Sequence, residues 1–514
     1  MKQNFLKDSV SNYFVYGVQL LLGIVAIPVY IQAFGDSLYG VYLLSLGLAA
    51  SFLFLEFGSG KSILRYTAEY LADGEEDKYG LALKTCTLIT AVTSLATAGI
   101  FVGFAFLRHK LFNIPPEYDT EAFWLFIGTA IYAFLLLISQ LSQSMLKGAG
   151  IFYLRNKFVL AELALRGLTI FAVWWWNLSI YFLLGAELVI VTTAMLFDIV
   201  VLVQRVPQIL RTDLLFARRQ QPILQGEVFQ YAKETFFLSV IGFFSQNSDR
   251  LIIGFFLDVR FITVYTVITK PYAILKSLLG KFYVIFSPYY IRIMKQGGKD
   301  ALREFLVKFS AVSNLIIGLC IGAGVILLPT LVRWWLSTDA YDPYIIYGQL
   351  LLLVYMIRTL AAMFTGALYM TGETKRLIVV EVVSVILNLT VSLLLVNLIG
   401  VGGVLIGTFV QLLFSVPYIL HISGNWLEEE APLYRSDNKL NILFRRYLLN
   451  ILLPAGILIV SYFLERADIP AAHIHTLTIF GIGLLIFLGG LLLNYRNIKN
   501  GATDLRLNFF RKYH

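Results

Sequence analysis

The chain has 514 residues, of which 58% are hydrophobic and 14% are charged, whereas about a quarter of the residues in an ordinary soluble protein are charged. A soluble protein of this composition would expose apolar patches larger than water tolerates. The composition therefore excludes a soluble enzyme, a disordered scaffold and a small disulfide-linked secreted domain. The net charge of +9 is not an indication of nucleic-acid binding, because basic residues in a membrane protein first report the side on which each loop lies.

Continuous apolar runs predict an all-α polytopic membrane protein with 14 transmembrane helices. About 20 apolar residues are needed to cross the hydrocarbon core as a helix, and these runs are longer and more continuous than the alternating strands of a membrane barrel. The second run is short and is interrupted by Gly58 and Gly60, and the seventh and eighth runs carry charges. The predicted spans are 12–33, 41–57, 81–107, 122–146, 158–176, 179–203, 228–257, 261–287, 304–332, 345–370, 376–397, 400–421, 442–464 and 475–494.

The Lys and Arg residues are strongly biased to alternate segments between the spans. If the N-terminus lies inside, the inside segments hold 30 of the 41 Lys and Arg residues and the outside loops hold five. Because cytoplasmic loops carry the excess of positive charge, this bias predicts that both termini are cytoplasmic. The apolar stretch after Lys2 and Lys7 is too long for a signal peptide, so we expect it to be retained as the first span.

A weak internal repeat indicates two lobes. Asp36 follows the first span and Asp258 follows the seventh, and each lies in a similar short stretch that ends near a tyrosine. The two copies share one orientation because six helices separate them, as in parallel transporter repeats. The sequence predicts an N-terminal six-helix lobe, a C-terminal six-helix lobe, and a last segment with an inside loop, helices 13 and 14 and a basic cytoplasmic tail. These segments are residues 1–227, 228–421 and 422–514.

Several short motifs carry a resemblance to a known family. The first helix has a late Pro and Tyr, a Gly-x-x-x-Tyr-Gly turn follows it, the second helix ends in an acidic-hydrophobic-Gly element, and an Arg-Tyr-x-Ala-Glu-Tyr segment comes next. The residues are Pro28, Tyr30, Gly35–Gly40, Glu56–Gly58, Arg65–Tyr70 and, in the seventh span, Asn247–Gly254 with its Asp-Arg element. They resemble the bacterial polysaccharide flippases (Wzx-type, which carry O-antigen repeat units) of the multidrug/oligosaccharidyl-lipid/polysaccharide (MOP) exporter superfamily. The middle residue of Glu56–Gly58 is phenylalanine, where the family pattern has leucine.

The resemblance implies a fold and a function. The fold is two six-helix lobes around a central cavity that opens by alternating access, with helices 1, 2, 7 and 8 facing the cavity. The function is translocation of an oligosaccharide on undecaprenyl diphosphate from the cytoplasmic to the outer leaflet of the bacterial inner membrane, for polysaccharides such as lipopolysaccharide. The implied partners are the lipid-linked oligosaccharide, membrane lipids, a polysaccharide polymerase and a chain-length regulator. Nucleic acid and enzymatic activity are not implied.

Basic residues inside the spans are candidates for binding an anionic substrate, because a charge in the bilayer is costly and is usually functional. Lys270 and Lys281 are eleven residues apart and share a helix face, with Lys276 roughly opposite. With Arg250 they predict a cationic patch that attracts a diphosphate, and Arg358 is either a second cavity cation or the partner of an acid. Snorkelling of the lysines is the structural alternative. The predicted substrate-binding residues are Arg250, Lys270, Lys276, Lys281, Lys61, Arg65 and Arg358.

Acidic residues inside the spans are candidates for coupling to H⁺ or Na⁺, or for ion pairs. They are Asp249, Glu381, Asp198 and Glu187. Because Asp198 and Glu381 lie near predicted inner ends of spans, the alternative for them is a solvated position at the interface. No other cofactor and no metal site is predicted, and His473-x-His475 is a weak metal signal.

Spacing also predicts how charged residues pair inside the membrane. Asp249 and Arg250 are adjacent, so they point in different directions and each needs another partner. Glu162 and Arg166 are four residues apart on the fifth span, and we expect them to form an ion pair within that helix.

Two alternatives to the flippase remain open. A multidrug exporter of the same superfamily would bind cations and should have an acidic cavity, whereas the charges of the seventh and eighth spans are net basic. A membrane polysaccharide polymerase or glycosyltransferase is disfavoured because the longest outside loop is short, at residues 108–121, and Glu75–Asp77 lies on the predicted inside. No Walker A motif is present, so the chain itself is not expected to hydrolyse ATP.

Overall fold

The computed structural model describes residues 2–205, 227–284 and 286–428, and almost all of these residues are helical. The helices run along the chain with short turns between them, and we number them α1 to α12. Their bounds are α1 Lys2–Ser51, α2 Ser59–Asp73, α3 Glu76–Leu111, α4 Asp119–Gly148, α5 Phe152–Trp176, α6 Ile180–Arg205, α7 Glu227–Phe256, α8 Arg260–Val284, α9 Ser287–Leu336, α10 Asp342–Met370, α11 Thr374–Ile399 and α12 Val401–Glu428.

The prediction of an all-α polytopic membrane protein is confirmed. Eight helical stretches of the described residues are long and apolar enough to cross a membrane, and the only β-type pairing in this part of the chain is an isolated bridge between Asn113 and Asp258. Six predicted spans, 122–146, 179–203, 228–257, 261–287, 345–370 and 376–397, agree with a helix to within three residues at both ends. The first two spans fall in the single stretch α1 and the turn after it, and the helices that contain 81–107, 158–176, 304–332 and 400–421 extend at least four residues beyond one or both predicted ends. The thirteenth and fourteenth spans, the basic tail, His473 and His475 lie outside the described residues, so the count of fourteen stays a prediction.

The first two predicted spans form one continuous helical stretch that is kinked at Gly35. This residue has φ 72° and ψ 169°, which is accessible to glycine because it lacks a Cβ. Gly40 follows in the same motif, and a methyl group there would collide with the backbone carbonyl of Val259. The Gly-x-x-x-Tyr-Gly motif therefore makes both the turn and the close approach of α1 to the start of α8.

The second membrane span ends in an irregular turn rather than in a simple helix terminus. After α1 the chain forms a short 3-10 helix, Phe52–Glu56, and then Phe57 and Gly58 adopt left-handed conformations with φ 52° and 69°. A methyl group on Gly58 would collide with Thr235 and with the carbonyl of Ala232 in α7. The second span is thus interrupted near Gly58, as the sequence predicted, and the glycine allows this turn to pack closely against α7.

The described residues divide into two compact units. The first takes the residues up to Val267 together with Leu395–Val401, and the second takes Ile268–Leu394 and the residues from Gly402 onward. In the first unit α4 packs against α3 and α6, and α1 packs against α4 and α5. In the second unit α9 packs against α10, and the core includes Tyr290, Met363 and Trp426. The predicted lobe boundaries at residues 227 and 421 stay predictions.

Candidate functional site

The predicted substrate-binding cations are divided between the two units. The first unit holds Lys61, Arg65 and Arg250, and the second holds Lys270, Lys276, Lys281 and Arg358.

Two cations of the first unit join α2 to α7. The Lys61 ammonium donates a hydrogen bond to Ser239 Oγ at 3.2 Å. The Arg65 guanidinium lies 4.8 Å from the centre of the Tyr231 ring and 3.6 Å from a carboxylate oxygen of Glu69. Stacking on an aromatic face and a partly exposed ion pair each contribute modestly. Arg65 is thus engaged by its own unit, with half of its side chain still exposed.

Asp249 and Arg250 contact different helices, as their adjacency requires. The Tyr265 hydroxyl of α8 donates a hydrogen bond to Asp249 Oδ2 at 2.7 Å. The Arg250 guanidinium lies against Gly47 of α1, where an added methyl group would come within 3.3 Å of Nη1. Asp249 therefore has a structural partner in α8, and Arg250 fills the space beside a glycine of α1.

A buried ion network lies between α5 and α6 in the first unit. Arg155 Nη1 donates to Glu162 Oε1 at 2.6 Å, and Arg155 Nε lies 3.2 Å from Asp198 Oδ1. The Asp198 side chain is fully buried, so the expectation of a solvated interface position for this residue is wrong. The physical reason is that α6 continues to Arg205, which leaves Asp198 about two turns inside the helix, facing α5.

A second ion pair joins α5 to α6, and it replaces the one predicted from spacing. Arg166 Nη2 lies 2.8 Å from Glu187 Oε2, and Tyr132 lies close enough to interact with the same guanidinium. The predicted pair of Glu162 with Arg166 is therefore wrong. Glu162 instead forms an ion pair with Arg155, which lies seven residues before it on the same face of α5.

The second unit contains a cavity of about 280 Å³ among α8, α10, α11 and α12, and most of its accessible lining is apolar. Three residues that the sequence singled out independently line it: Lys276, Arg358 and Glu381. Their formal charges sum to +1. The remaining polar lining consists of Tyr283, Tyr355, Thr359, Thr365, Ser384, Gln411 and Ser415.

Arg358 and Glu381 both line the cavity without pairing with each other. In the described part of the chain, neither Arg358 nor Glu381 makes a hydrogen bond or an ion pair. Tyr355 donates a hydrogen bond to the backbone carbonyl of Lys276 at 3.4 Å, and the Lys276 ammonium lies 5.8 Å from the centre of the Tyr272 ring. The cavity is therefore lined by an arginine and a glutamate that form no ion pair in the described part of the chain, within a mostly apolar surface.

The two remaining cations of α8 are not part of this lining as far as the structure describes them. Lys270 is half-buried and precedes Pro271, and it is not among the residues that line the cavity. Lys281 belongs to α8 by its backbone, and its side chain lies outside the described residues. The substrate-binding role of both residues stays a prediction.

Several residues of these clusters were not singled out by the sequence. Arg155 counted only as an inside cation, although its seven-residue spacing from Glu162 indicates a shared helix face. Ser384 and Gln411 are polar residues within apolar runs, 1% and 5% exposed, and that is the signal that could have identified them. Across the described ranges, no group of three His, Cys, Asp or Glu residues could hold a metal ion.

Comparison with known proteins identifies the fold. No family model matches this chain, and no curated protein matches it. Among solved structures, the lipid II flippase MurJ in an inward closed conformation is 15% identical, with a TM-score of 0.62 over 96% of this chain and 99% of that one. An inward-facing multidrug resistance MATE family transporter of the MOP superfamily is 12% identical, with a TM-score of 0.61 over 80% of this chain and 96% of that one.

A third solved structure extends this likeness. A MOP superfamily transporter from Pyrococcus furiosus, described as having a binding pocket of reverse polarity, is 12% identical, with a TM-score of 0.56 over 82% of this chain and 96% of that one. At these identities the likeness concerns the fold. The chain therefore has the fold shared by the MurJ flippase and the MATE transporters of the MOP superfamily.

Proposed function

We propose that this protein is a flippase that moves polyprenyl-diphosphate-linked oligosaccharide repeat units from the cytoplasmic to the outer leaflet by alternating access. The motifs at Gly35–Gly40 and Arg65–Tyr70 support this assignment by their resemblance to Wzx-type flippases. The fold is compatible with it because a solved structure of the same fold is a lipid II flippase. The finer parts of the proposal are an undecaprenyl carrier, an O-antigen repeat unit, the bacterial inner membrane and cytoplasmic termini.

The observation that carries the proposal is the positive net charge of the residues that line the cavity of the second unit. Lys276 and Arg358 line one cavity with a single carboxylate, Glu381. A net positive cavity attracts and holds a diphosphate, and arginine can bind it with two parallel hydrogen bonds. The same cavity would repel an organic cation.

The second candidate is a multidrug exporter, favoured by the likeness to a MATE family transporter at nearly the same TM-score as MurJ. Such a protein has to stabilise cationic drugs, so the lining of its binding site should be net acidic. The cavity of the second unit has the opposite sign. A polymerase or glycosyltransferase receives no support from the described residues, since the solved structures of this fold named above are transporters.

Coupling and partners complete the proposal. Glu381 is the coupling candidate with the best access to a ligand, because it lines the cavity and has no ion pair in the described part of the chain. Glu187 and Asp198 are each paired with an arginine, so they serve the first unit as structural ion pairs. The polymerase and chain-length regulator are proposed as functional partners that receive and extend the exported repeat units.

The function can be tested by deletion and by reconstitution. A deletion strain should accumulate lipid-linked oligosaccharide on the cytoplasmic side and lose surface glycan. Purified protein in liposomes should move a fluorescent undecaprenyl-diphosphate oligosaccharide between leaflets. Normal surface glycan together with altered drug sensitivity in the deletion strain would contradict the flippase and support the exporter.

A matched pair of variants tests the cavity within the same assays. Arg358→Gln should reduce flipping at least about tenfold, because it removes a guanidinium that faces the cavity. Arg333→Gln is the control, because Arg333 belongs to the same unit, is 55% exposed and is paired with Asp342 away from the cavity. Equal flipping by both variants, at equal amounts in the membrane, would remove Arg358 from substrate binding.

A further inference from the structure

We propose that α8 contains a hinge at Pro271 and that this helix bends there during transport. A hinge in α8 deepens the proposed function, because it rests on the alternating access of that function and names the residue at which the chain bends. It does not depend on which substrate is moved. The evidence is the position of the proline, the contacts on either side of it and the composition of the turns before it.

Pro271 lies where α8 passes from one compact unit to the other. The helix is continuous from Arg260 to Val284, yet its residues up to Val267 belong to the first unit and those from Ile268 belong to the second. Proline has no amide hydrogen, so it cannot donate the helical hydrogen bond to the carbonyl four residues before it. That carbonyl belongs to Val267. The missing hydrogen bond therefore falls at the residue where the first unit ends.

The part of α8 before this point is anchored to helices of the first unit. The Thr263 hydroxyl donates a hydrogen bond to the backbone carbonyl of Asp36 in α1 at 2.8 Å. The Tyr265 hydroxyl donates one to the Asp249 carboxylate in α7 at 2.7 Å, and the Val267 side chain is fully buried. These contacts hold the first two turns of α8 against α1 and α7.

The part of α8 after this point is anchored to α10 of the second unit. The carbonyl oxygen of Ile268 lies so close to α10 that a methyl group on Gly348 would come within 2.8 Å of it. One turn later, the centre of the Tyr272 ring lies 5.1 Å from that of Tyr355, and the Tyr355 hydroxyl donates a hydrogen bond to the carbonyl of Lys276. The two halves of α8 are thus held by different helices, and a hinge requires two anchored arms of this kind.

The turns before Pro271 consist of poor helix formers. β-Branched residues lose side-chain freedom in a helix and have a lower helix propensity than alanine or leucine. Seven of the eight residues from 262 to 269 are β-branched, namely Ile262, Thr263, Val264, Thr266, Val267, Ile268 and Thr269. A proline after such a segment weakens both the hydrogen bonding and the intrinsic helix stability, so bending costs least there.

Prolines inside the other described helices lie within a single unit. Pro28 lies in α1 of the first unit, and Pro329 of α9 and Pro417 of α12 lie in the second. Each removes the same kind of helical hydrogen bond, but none lies at a change of unit. Pro329 is therefore a matched control for Pro271, because it differs in position and not in chemistry.

Flipping by the full-length protein in liposomes gives the first test. Pro271→Ala restores the amide and should favour the straight helix by on the order of a hundredfold, so flipping should fall at least about tenfold. Pro271→Gly should keep most of the flipping, because glycine also weakens a helix. A role of the proline ring in packing predicts the opposite order, since glycine removes more contact than alanine. Pro329→Ala should flip at nearly the wild-type rate.

Distances between spin labels measure bending separately from flipping. One label is attached at Leu278→Cys in the second half of α8, and the other at Leu95→Cys in α3 of the first unit, since both side chains are exposed. The exposed native cysteine, Cys320, is replaced by serine. The wild type and Pro271→Gly should give a broad distribution of distances in liposomes, and Pro271→Ala a narrow one. A label pair within the second unit, Leu278→Cys with Leu350→Cys, should give the same distances in all variants.

The two measurements distinguish failure of the hinge from failure of the proposed function. Loss of flipping together with a narrowed distribution in Pro271→Ala supports the hinge. Flipping by Pro271→Ala at the wild-type rate would overturn it, as would loss of flipping with unchanged distances or lower flipping by Pro271→Gly than by Pro271→Ala. Distances that narrow in Pro271→Ala, in a protein that moves no lipid-linked oligosaccharide, would remove the proposed function and leave the hinge.

Discussion

Replacing Arg155 by methionine is the sharpest perturbation of the first unit. Arg155 is the cation shared by Glu162, at 2.6 Å, and Asp198, at 3.2 Å. Its side chain is 7% exposed and that of Asp198 is fully buried, while Glu162 keeps 20% of its surface exposed. Methionine preserves much of the volume and removes the charge, so the variant leaves two carboxylates without their guanidinium.

The expected loss follows from the burial of these groups. Removing one partner of a buried ion pair costs about 3–5 kcal/mol, because the other charge remains desolvated. Glu162 can recover some hydration, and Lys147 lies close enough to Asp198 to interact with it. We therefore expect the free energy of unfolding to fall by about 3 kcal/mol. Arg155→Met combined with Asp198→Leu should recover part of this loss, because the buried carboxylate goes with its partner.

Unfolding by sodium dodecyl sulfate in mixed micelles, followed by circular dichroism, measures these differences. Arg333→Met is the matched control, because its ion pair with Asp342 is partly exposed, at 55% and 30% of the two side chains, and should contribute about 1 kcal/mol. The reasoning is refuted if Arg155→Met is no less stable than Arg333→Met. It is also refuted if the double variant loses the full sum of the two single losses, since coupled partners cannot be additive.

Three further changes test other features. Gly58→Ala should destabilise the protein by at least about 1 kcal/mol, because glycine has φ 69° and a methyl group would collide with α7; thermal unfolding measures this. Tyr265→Phe should cost about 1.5–3 kcal/mol, the value of a hydrogen bond to a charged group, because it removes the hydrogen bond that Tyr265 donates to Asp249; detergent titration measures it. Arg65→Gln should cost about 0.5–1 kcal/mol in the same titration through loss of the contact with an aromatic ring.

Each of these variants has a control in the same chain. Gly99→Ala should be neutral or slightly stabilising, because the methyl group there meets open space. Tyr418→Phe should change stability little, because that side chain is 41% exposed. For Arg65, the control is the Tyr231→Leu background, which lacks the aromatic ring. In that background Arg65→Gln should change the free energy of unfolding very little. Losses in the controls as large as those in the variants would show that the named contacts do not carry the effects.

The sequence was sufficient for features that depend on local chemistry. Apolar runs of about 20 residues can satisfy their backbone in lipid only as helices, so the positions of α1 and of α3 to α12 follow from hydropathy, whereas the more polar α2 was not predicted as a span. The kink at Gly35 and the turn at Gly58 were marked by glycines, because left-handed backbone is costly for other residues. Lys276, Arg358 and Glu381 were marked as candidates because charges inside an apolar run are rarely incidental, but the cavity that they share was not predicted.

The partners of these charges were decided by the tertiary structure. The spacing predicted an ion pair of Arg166 with Glu162. In the structure Arg166 pairs with Glu187 on the next helix, and Glu162 pairs with Arg155. Periodicity along one helix gives neighbours within that helix, and it contains no distance to a side chain on another. The cavity is the clearest example, because its lining comes from four helices. The sequence by itself determined that this protein spans a membrane with basic residues inside the spans; the packing of those helices decided which residues meet, because burial makes each charge depend on the neighbours that packing supplies.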